Sequence, residues 1–198
     1  MKTEHSHYFV ADNPERRKWQ NPEAILADIG LRPGLTFIDI GCGGGFFTAP
    51  AARIVGKRGK VYGIDINPHY INELGELAAR ENLSNVRLTV GKAEEIVLCE
   101  SCADIIFLGV VLHDFEVAAR VLQNANKMLK PAGRLVNLDW KKEPMDLGPR
   151  LQKKFSVDYA AHLIKTTGFK VASIKEVGSY HYMIVAELNK KLLGGISM

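Results

Sequence analysis

Between residues 37 and 48 the chain reads Phe37-Ile38-Asp39-Ile40-Gly41-Cys42-Gly43-Gly44-Gly45-Phe46-Phe47-Thr48, an apolar run that breaks into glycines and then enters a helical stretch. Only a residue without Cβ lets backbone approach a ligand this closely. A loop of this kind at the carboxyl end of a first strand is where doubly wound sheets bind nucleotide-like ligands. The surrounding chain must therefore supply an α/β architecture.

It does so from Thr36 onwards, where apolar runs of strand length alternate with amphipathic helical stretches. Strands are expected at Thr36 to Ile40, Lys60 to Asp65, Val86 to Val90, Ala103 to Val110 and Arg134 to Asp139. Helices are expected from about Gly45 to Val55, from Pro68 to about Asn82, and from about Phe115 to Leu129, just before Pro131. A further helix starts near Ser156 and stops at Gly168. Lys170 to Val177 and His181 to Leu188 then lie close enough in sequence to pair as a hairpin, so an antiparallel strand closes the sheet. Ahead of the first strand, Asn21 is placed to cap a helix opened by Pro22 and ended near Gly30. The expected organisation is an N-terminal arm or lid over 1–20, one domain over 21–188 and a loose tail over 189–198.

A length of 198 residues with 46% hydrophobic and 24% charged content suits one globular domain, and a second sizeable one is not expected. No apolar run approaches the roughly 20 residues of a membrane span, and Met1 to His7 does not resemble an export signal, so a cytoplasmic protein without a membrane partner is expected. Cys42, Cys99 and Cys102 are too few for a disulfide framework, which fits a reducing compartment. The net charge of +4 is spread in small clusters at Arg16 to Lys18, Lys141 to Lys142, Lys153 to Lys154 and Lys190 to Lys191. These read as solvated surface, so nucleic acid is not the expected partner. Nothing in the sequence bears on oligomeric state.

The glycine spacing narrows the ligand. A nicotinamide or flavin site wants G-x-G-x-x-G, its third glycine packing the helix that faces a pyrophosphate. Here Phe46 occupies that third position, and the spacing present is G-x-G-x-G at Gly41, Gly43 and Gly45. The acidic Asp39 beside it favours a cation and repels a diphosphate. Asp65 ends the second strand, about 24 residues after Gly41, where a carboxylate can accept hydrogen bonds from both ribose hydroxyls.

Asp39-Ile40-Gly41-Cys42-Gly43-Gly44-Gly45 resembles the first motif of class I S-adenosylmethionine-dependent methyltransferases, and Gly63-Ile64-Asp65-Ile66-Asn67-Pro68 resembles their acidic second motif. Gly91-Lys92-Ala93-Glu94-Glu95 is similar to the adenine-contacting turn, Ala103-Asp104-Ile105-Ile106 to strand four, and Leu129 to Leu135 to the segment entering strand five. The resemblance covers about Pro22 to Leu188. It implies a Rossmann-like, seven-stranded mixed sheet of order 3-2-1-4-5-7-6, with strand seven antiparallel and helices on both faces. It also implies S-adenosyl-L-methionine as methyl donor and S-adenosyl-L-homocysteine as product. By the same resemblance Gly41 and Gly43 lie against the methionine part of the donor, with Asp39 and Cys42 beside them in the cofactor-binding set, Asp65 holds its ribose and Ile66 packs on adenine. Ala93 and Glu94 line the adenine edge, and Gly109 completes the cofactor-binding set. Many relatives carry Asp where this chain has Lys92, so the adenine contact is assigned to backbone at Ala93. The arm His5-Ser6-His7-Tyr8-Phe9, followed by Arg16-Arg17-Lys18-Trp19, resembles that of a small type-11 branch of the family and is expected to act as a lid. Its two histidines lack carboxylate or cysteine neighbours, and no metal is expected.

Methyl transfer from a sulfonium is an in-line displacement, so holding the acceptor in line and excluding water is the essential task. A general base is needed only when the acceptor must lose a proton. Val110-Val111-Leu112-His113-Asp114-Phe115 follows strand four on the rim of the glycine loop, which makes His113 and Asp114 the candidate catalytic pair. The competing reading is that Asp114 caps the next helix while His113 lines the cofactor pocket. Trp140, leaving strand five, either stacks on a flat acceptor or anchors packing, and Tyr182 either touches the acceptor or lines the sheet edge. Cys99-Glu100-Ser101-Cys102 reads as a surface loop, with thiol capture of a metalloid acceptor the alternative. The expected activity is methylation of a small-molecule acceptor that the sequence does not identify. A non-catalytic donor-binding domain, RNA or protein methylation and a nicotinamide dehydrogenase are the competing functions, and Phe46 argues against the last.

Overall fold

The computed structural model describes residues 13–189. Its strands form one seven-stranded sheet of order β3-β2-β1-β4-β5-β7-β6, the order the resemblance implies. The chain divides into two compact units, Met1–Ala93 and Glu94–Met198.

In the first unit, α1 (Pro14–Trp19) and α2 (Pro22–Asp28) precede β1 (Thr36–Ile40), α3 (Thr48–Val55), β2 (Lys60–Asp65), α4 (Pro68–Arg80) and β3 (Val86–Val90). Asn13, Asn21 and Asn67 cap α1, α2 and α4, each accepting a hydrogen bond from a first-turn backbone N–H, with proline opening each helix. β1 pairs in parallel with β2, and β2 with β3, so the carboxyl ends of all three strands share one rim. Phe37, Ile38 and Ile40 are buried, because a parallel strand is covered on both faces. α3 starts at Thr48 rather than near Gly45, since Gly45 sits at φ +96, outside helical backbone.

In the second unit, β4 (Ala103–Gly109) is followed by a 3-10 turn (Leu112–Asp114), α5 (Ala118–Met128), β5 (Leu129–Trp140), α6 (Val157–Thr166), β6 (Phe169–Val177) and β7 (His181–Leu188). β4 and β5 are parallel, and β7 lies antiparallel between β5 and β6, as the hairpin reading expects. β5 is longer than its expected span of Arg134 to Asp139. Ala103 pairs with Leu129 and Ile105 with Arg134, so Lys130 to Gly133 loop out as a bulge that accommodates Pro131, which has no N–H to donate. The helix expected from Phe115 begins only at Ala118, after the separate 3-10 turn. Ser156 caps α6, and Gly168 at φ +98 stops it.

Two of the basic clusters read as solvated are not wholly so, since Arg16 and Lys154 are both buried. Each finds a local substitute for water. The Arg16 guanidinium lies 3.9 Å from the Phe46 ring centroid, and Lys154 Nζ donates to the Glu143 carbonyl at 3.1 Å. Cys99 and Cys102 are joined as a disulfide across their turn. The arm segment His5 to Phe9 and nearly all of the expected tail lie outside the described residues. Among the described residues no helix is long and apolar enough to cross a membrane.

Candidate functional site

In the first unit the glycine loop folds as its sequence demands. Gly41, Gly43 and Gly45 take φ values of +74, +50 and +96, a left-handed alternation that residues with side chains adopt only at a cost. The N–H groups of Gly41 and Cys42 both donate to the Ile64 carbonyl, at 2.8 and 3.0 Å, tying the loop to the end of β2. A Cβ on Gly45 would run into the Leu74 side chain of α4. Cys42 is buried beside Leu74 and Ile71, and burial first, then Asp39 and Asp65, push its thiol well above the usual range. The Cys42 thiol therefore stays protonated and unreactive.

Two carboxylates frame the loop. Asp65, half-buried, accepts from Gly43 N–H at 2.8 Å through Oδ2 and from Asn67 N–H at 2.9 Å through Oδ1. A carboxylate offers about four lone-pair sites, so both oxygens retain acceptor capacity for a ligand's hydroxyls. Asp39 is buried and accepts from Thr48 Oγ1 at 2.6 Å. Burial raises its pKa to about 7; Asp65 adds to the rise, while Thr48 and Arg16 oppose it. Ile66, next to Asp65, stands 61% exposed on the same strand end, and Ala93 is buried.

The second unit supplies a different kind of site. Val110, the residue after β4, takes φ +58, a conformation rarely tolerated by a β-branched side chain and held here by its N–H donating to the Leu138 carbonyl at 2.7 Å. The turn that follows delivers His113 with its side chain only 2% exposed, and its Nδ1 lies 2.7 Å from Asp139 Oδ1. An ionised carboxylate only accepts, so Nδ1–H donates and Nε2 is left as the basic nitrogen. Burial lowers the imidazole pKa, yet the Asp139 hydrogen bond and charge, with help from Asp114, outweigh it and raise the pKa above the ordinary histidine value.

Asp139, 1% exposed at the end of β5, also accepts from Trp140 N–H at 2.8 Å through Oδ1, while its Oδ2 is buried with no hydrogen-bond partner among the described residues. The partner that orients His113 is therefore Asp139, which sequence reasoning passed over as the residue before Trp140. An acid ending a strand, with a histidine just past its neighbour strand, is the signal that points to it. Asp114 is not the helix cap that one of the two sequence readings made it. It does not cap α5, whose cap position is Val117 without a side-chain bond, and it sits half-exposed with Oδ2 3.5 Å from His113 Nε2.

Trp140 is 7% exposed, with its ring 4.4 Å from that of His181 and Gly148 against its face. Tyr182, opposite Asp139 in the β5–β7 ladder, is buried, and its hydroxyl donates to the Phe155 carbonyl at 3.4 Å. Burial and the Asp139 charge push the phenol far up, so it stays neutral. Tyr182 also borders a cavity of about 460 Å³ together with Lys141, Lys175 and Ser156. Glu94 and Gly109 are half-buried, and the Glu94 carbonyl accepts from Asn124 Nδ2 at 2.8 Å.

A sheet of this order, with a glycine bend after β1 and an acid ending β2, defines a Rossmann-like domain of the nucleoside-binding class. Comparison with known proteins gives the family. A methyltransferase-domain model matches residues 31–183. The ubiquinone/menaquinone biosynthesis C-methyltransferase UbiE of Vibrio campbellii is 33% identical over 156 residues, covering 78% of this chain and 58% of that protein. An arsenite methyltransferase of Halobacterium salinarum is 29% identical over 119 residues, 60% of this chain and 30% of that one. The crystal structure of a SAM-dependent methyltransferase from Aquifex aeolicus superposes with a TM-score of 0.85 at 30% identity, covering 89% of this chain and 94% of the other. This chain belongs to the class I S-adenosylmethionine-dependent methyltransferases, and it spans a little over half the length of the UbiE relatives it matches.

Proposed function

We propose that this chain moves a methyl group from S-adenosylmethionine to a small-molecule acceptor that must lose a proton, with His113 as the base and Asp139 as its positioning residue. The buried His113–Asp139 pair, 2.7 Å apart and following a strained Val110, is the observation that carries the reading. Strained backbone clusters at functional sites, and an oriented imidazole is what proton transfer requires.

The residues present fit the donor. The glycine bend leaves room for backbone to approach its methionyl end, Asp39 offers negative charge to a cation, and the Asp65 carboxylate can accept from the ribose hydroxyls. Ile66 offers an exposed apolar surface to the adenine, with Ala93 and Glu94 at its edge and Gly109 bordering the donor. When bound, the donor supplies an electrophilic methyl carbon on a sulfonium and departs as S-adenosylhomocysteine. His113 Nε2 takes the acceptor's proton while Asp139 balances the imidazolium charge. Asp114 lies near Nε2, where it can help orient the acceptor.

A hydroxylated aromatic or quinol-type acceptor suits this pair best. Its ring carbon becomes nucleophilic as a hydroxyl proton passes to the base, and once methylated that carbon gives up its own hydrogen as the oxygen is re-protonated, restoring the aromatic ring; relatives named ubiquinone/menaquinone biosynthesis C-methyltransferase and demethylmenaquinone methyltransferase support the class. Trp140, which follows Asp139 on β5, and Tyr182, opposite Asp139 in the β5–β7 ladder, are the residues we assign to acceptor binding. The test is release of S-adenosylhomocysteine against a panel of quinols, phenols, thiols and arsenite, with wild type and His113→Ala compared. Quinol- or phenol-dependent turnover that His113→Ala reduces about 10²-fold or more is expected. Unchanged turnover and acceptor affinity in that variant, with donor binding intact, would refute the assignment.

A further inference from the structure

The segment that joins β5 to α6 carries a buried cation that proton transfer leaves unused. It folds back over Trp140, with Gly148, at φ +83, against the indole ring. Near its end Lys153 N–H donates to the Arg150 carbonyl at 3.0 Å and Lys154 N–H to that of Leu151 at 3.2 Å, a turn that sends two consecutive cations to different places. Lys153 stays exposed and reaches Asp114 Oδ1 at 3.6 Å, on the carboxylate whose Oδ2 lies 3.5 Å from His113 Nε2. Lys154 turns inward until 2% of it is exposed, and its Nζ lies 5.8 Å from the Trp140 ring centroid. There Nζ donates to the Glu143 carbonyl at 3.1 Å, and no carboxylate forms an ion pair with it among the described residues. An ammonium has three N–H donors, so two remain for another acceptor. Burial lowers the Lys154 pKa and the Glu143 charge opposes the fall; one carbonyl only partly offsets the cost of burying such a cation.

The charges along this rim are otherwise matched, Lys153 with Asp114 and His113 with Asp139, which leaves Lys154 as the cation that a ligand's anion can answer. A lysine ammonium is a compact point charge, and a single one balances a carboxylate, whereas a doubly charged phosphate would leave excess negative charge beside Asp114 and Asp139. We propose that Lys154 is a specificity-determining residue of the acceptor site, its ammonium taking a carboxylate on the acceptor, so that the preferred acceptors are hydroxylated aromatic acids with the ring on Trp140 and the reacting hydroxyl at His113. This inference rests on the acceptor reading above and narrows its substrate class. It assigns to recognition a residue that the basic run Lys153-Lys154 makes look like solvated surface.

The experiment is calorimetric titration of the protein saturated with S-adenosylhomocysteine, using two pairs of probes that differ only in a carboxylate: protocatechuate against catechol, and gallate against pyrogallol. Wild type is expected to bind the acid of each pair about tenfold tighter or more, the scale of a hydrogen bond to a charged group. In Lys154→Met, which keeps the apolar stem against Trp140, that preference should shrink to within about threefold, through loss on the acids alone. Equal losses for both members of a pair would mean that Lys154 merely clamps the Glu143 carbonyl, and a preference absent from wild type or intact in the variant would remove Lys154 from recognition; each of these results overturns the proposal. Should Lys154→Met not fold, Lys154→Gln retains a donor for that carbonyl without the charge and is read on the same pattern. His113→Ala, titrated alongside, separates this inference from the one beneath it. A carboxylate preference that survives in His113→Ala, together with turnover which that variant leaves unchanged, would sink the base reading and spare Lys154, whereas wild type that binds none of the four probes would sink the acceptor site and this inference with it.

Discussion

Replacing Asp139 by asparagine keeps the shape of the side chain and removes its charge, which isolates what the carboxylate does for His113. In the folded protein Asp139 Oδ1 accepts from His113 Nδ1 at 2.7 Å and from Trp140 N–H at 2.8 Å, in a setting only 1% exposed. A hydrogen bond to a charged group contributes about 1.5–3 kcal/mol against roughly 1 for a neutral pair. The substitution therefore weakens the imidazolium by about 1–2 kcal/mol, which lowers the catalysed rate by about tenfold on that ground alone. If the amide also turns its NH₂ toward the ring and traps the wrong tautomer, the loss grows to the 10²–10⁴-fold of a missing general base.

The pH dependence separates this from general damage. His113 titrates above an ordinary histidine in the folded state because Asp139, with Asp114, outweighs the effect of burial. As a base it works only when neutral, so kcat/KM should rise with pH through that raised value, and in Asp139→Asn the acid limb should move to lower pH. Stability carries the opposite sign. A raised folded-state pKa gives stability that is complete below the unfolded value of about 6.5 and is lost as pH rises through the folded value. Asp139→Asn should therefore lower Tm more at pH 5.5 than at pH 9, by roughly 2–4 °C for each kcal/mol lost. A normally folded Asp139→Asn enzyme with an unmoved acid limb would refute the pairing as the functional unit.

Two further outcomes follow from the first unit. Asp39, with its pKa near 7, should give up a proton when the cationic donor binds; binding heats at pH 6.5 should then vary with the ionisation enthalpy of the buffer in wild type and not in Asp39→Asn. Because its folded pKa lies above its unfolded one, stability falls as pH rises from about 4 to 7. Asp39→Asn should therefore gain on wild type across that range by a few kcal/mol at most, about 1.4 kcal/mol for each tenfold difference in proton affinity between the folded and unfolded chain, as read from urea midpoints. Gly45→Ala combines a positive φ of +96 with a Cβ driven into Leu74, and should cost about 2–4 kcal/mol; a Tm within one degree of wild type would contradict that geometry.

The parts of the molecule legible in the sequence are those set by local rules. Strand and helix alternation, the caps at Asn21 and Ser156, the stop at Gly168 and the β6–β7 hairpin depend on neighbours in the chain, and residue type reports them well. The strand order is not local, and it follows from a resemblance rather than from periodicity. Charge burial is less legible still. Arg16 sits in the run Arg16-Arg17-Lys18, and composition alone makes all three solvated; only Arg16 turns inward, because helical spacing puts it one turn from Gln20 and beneath the aromatic pair Phe46 and Phe47. Asp139 is hidden for a related reason. A strand residue's partner is set by register, and the contact between Asp139 and His113 spans 26 positions, a pairing that exists only once β4 and β5 lie side by side. Both hidden residues are buried ionisable side chains whose placement is decided by tertiary contacts, and neither residue type nor local spacing reports those.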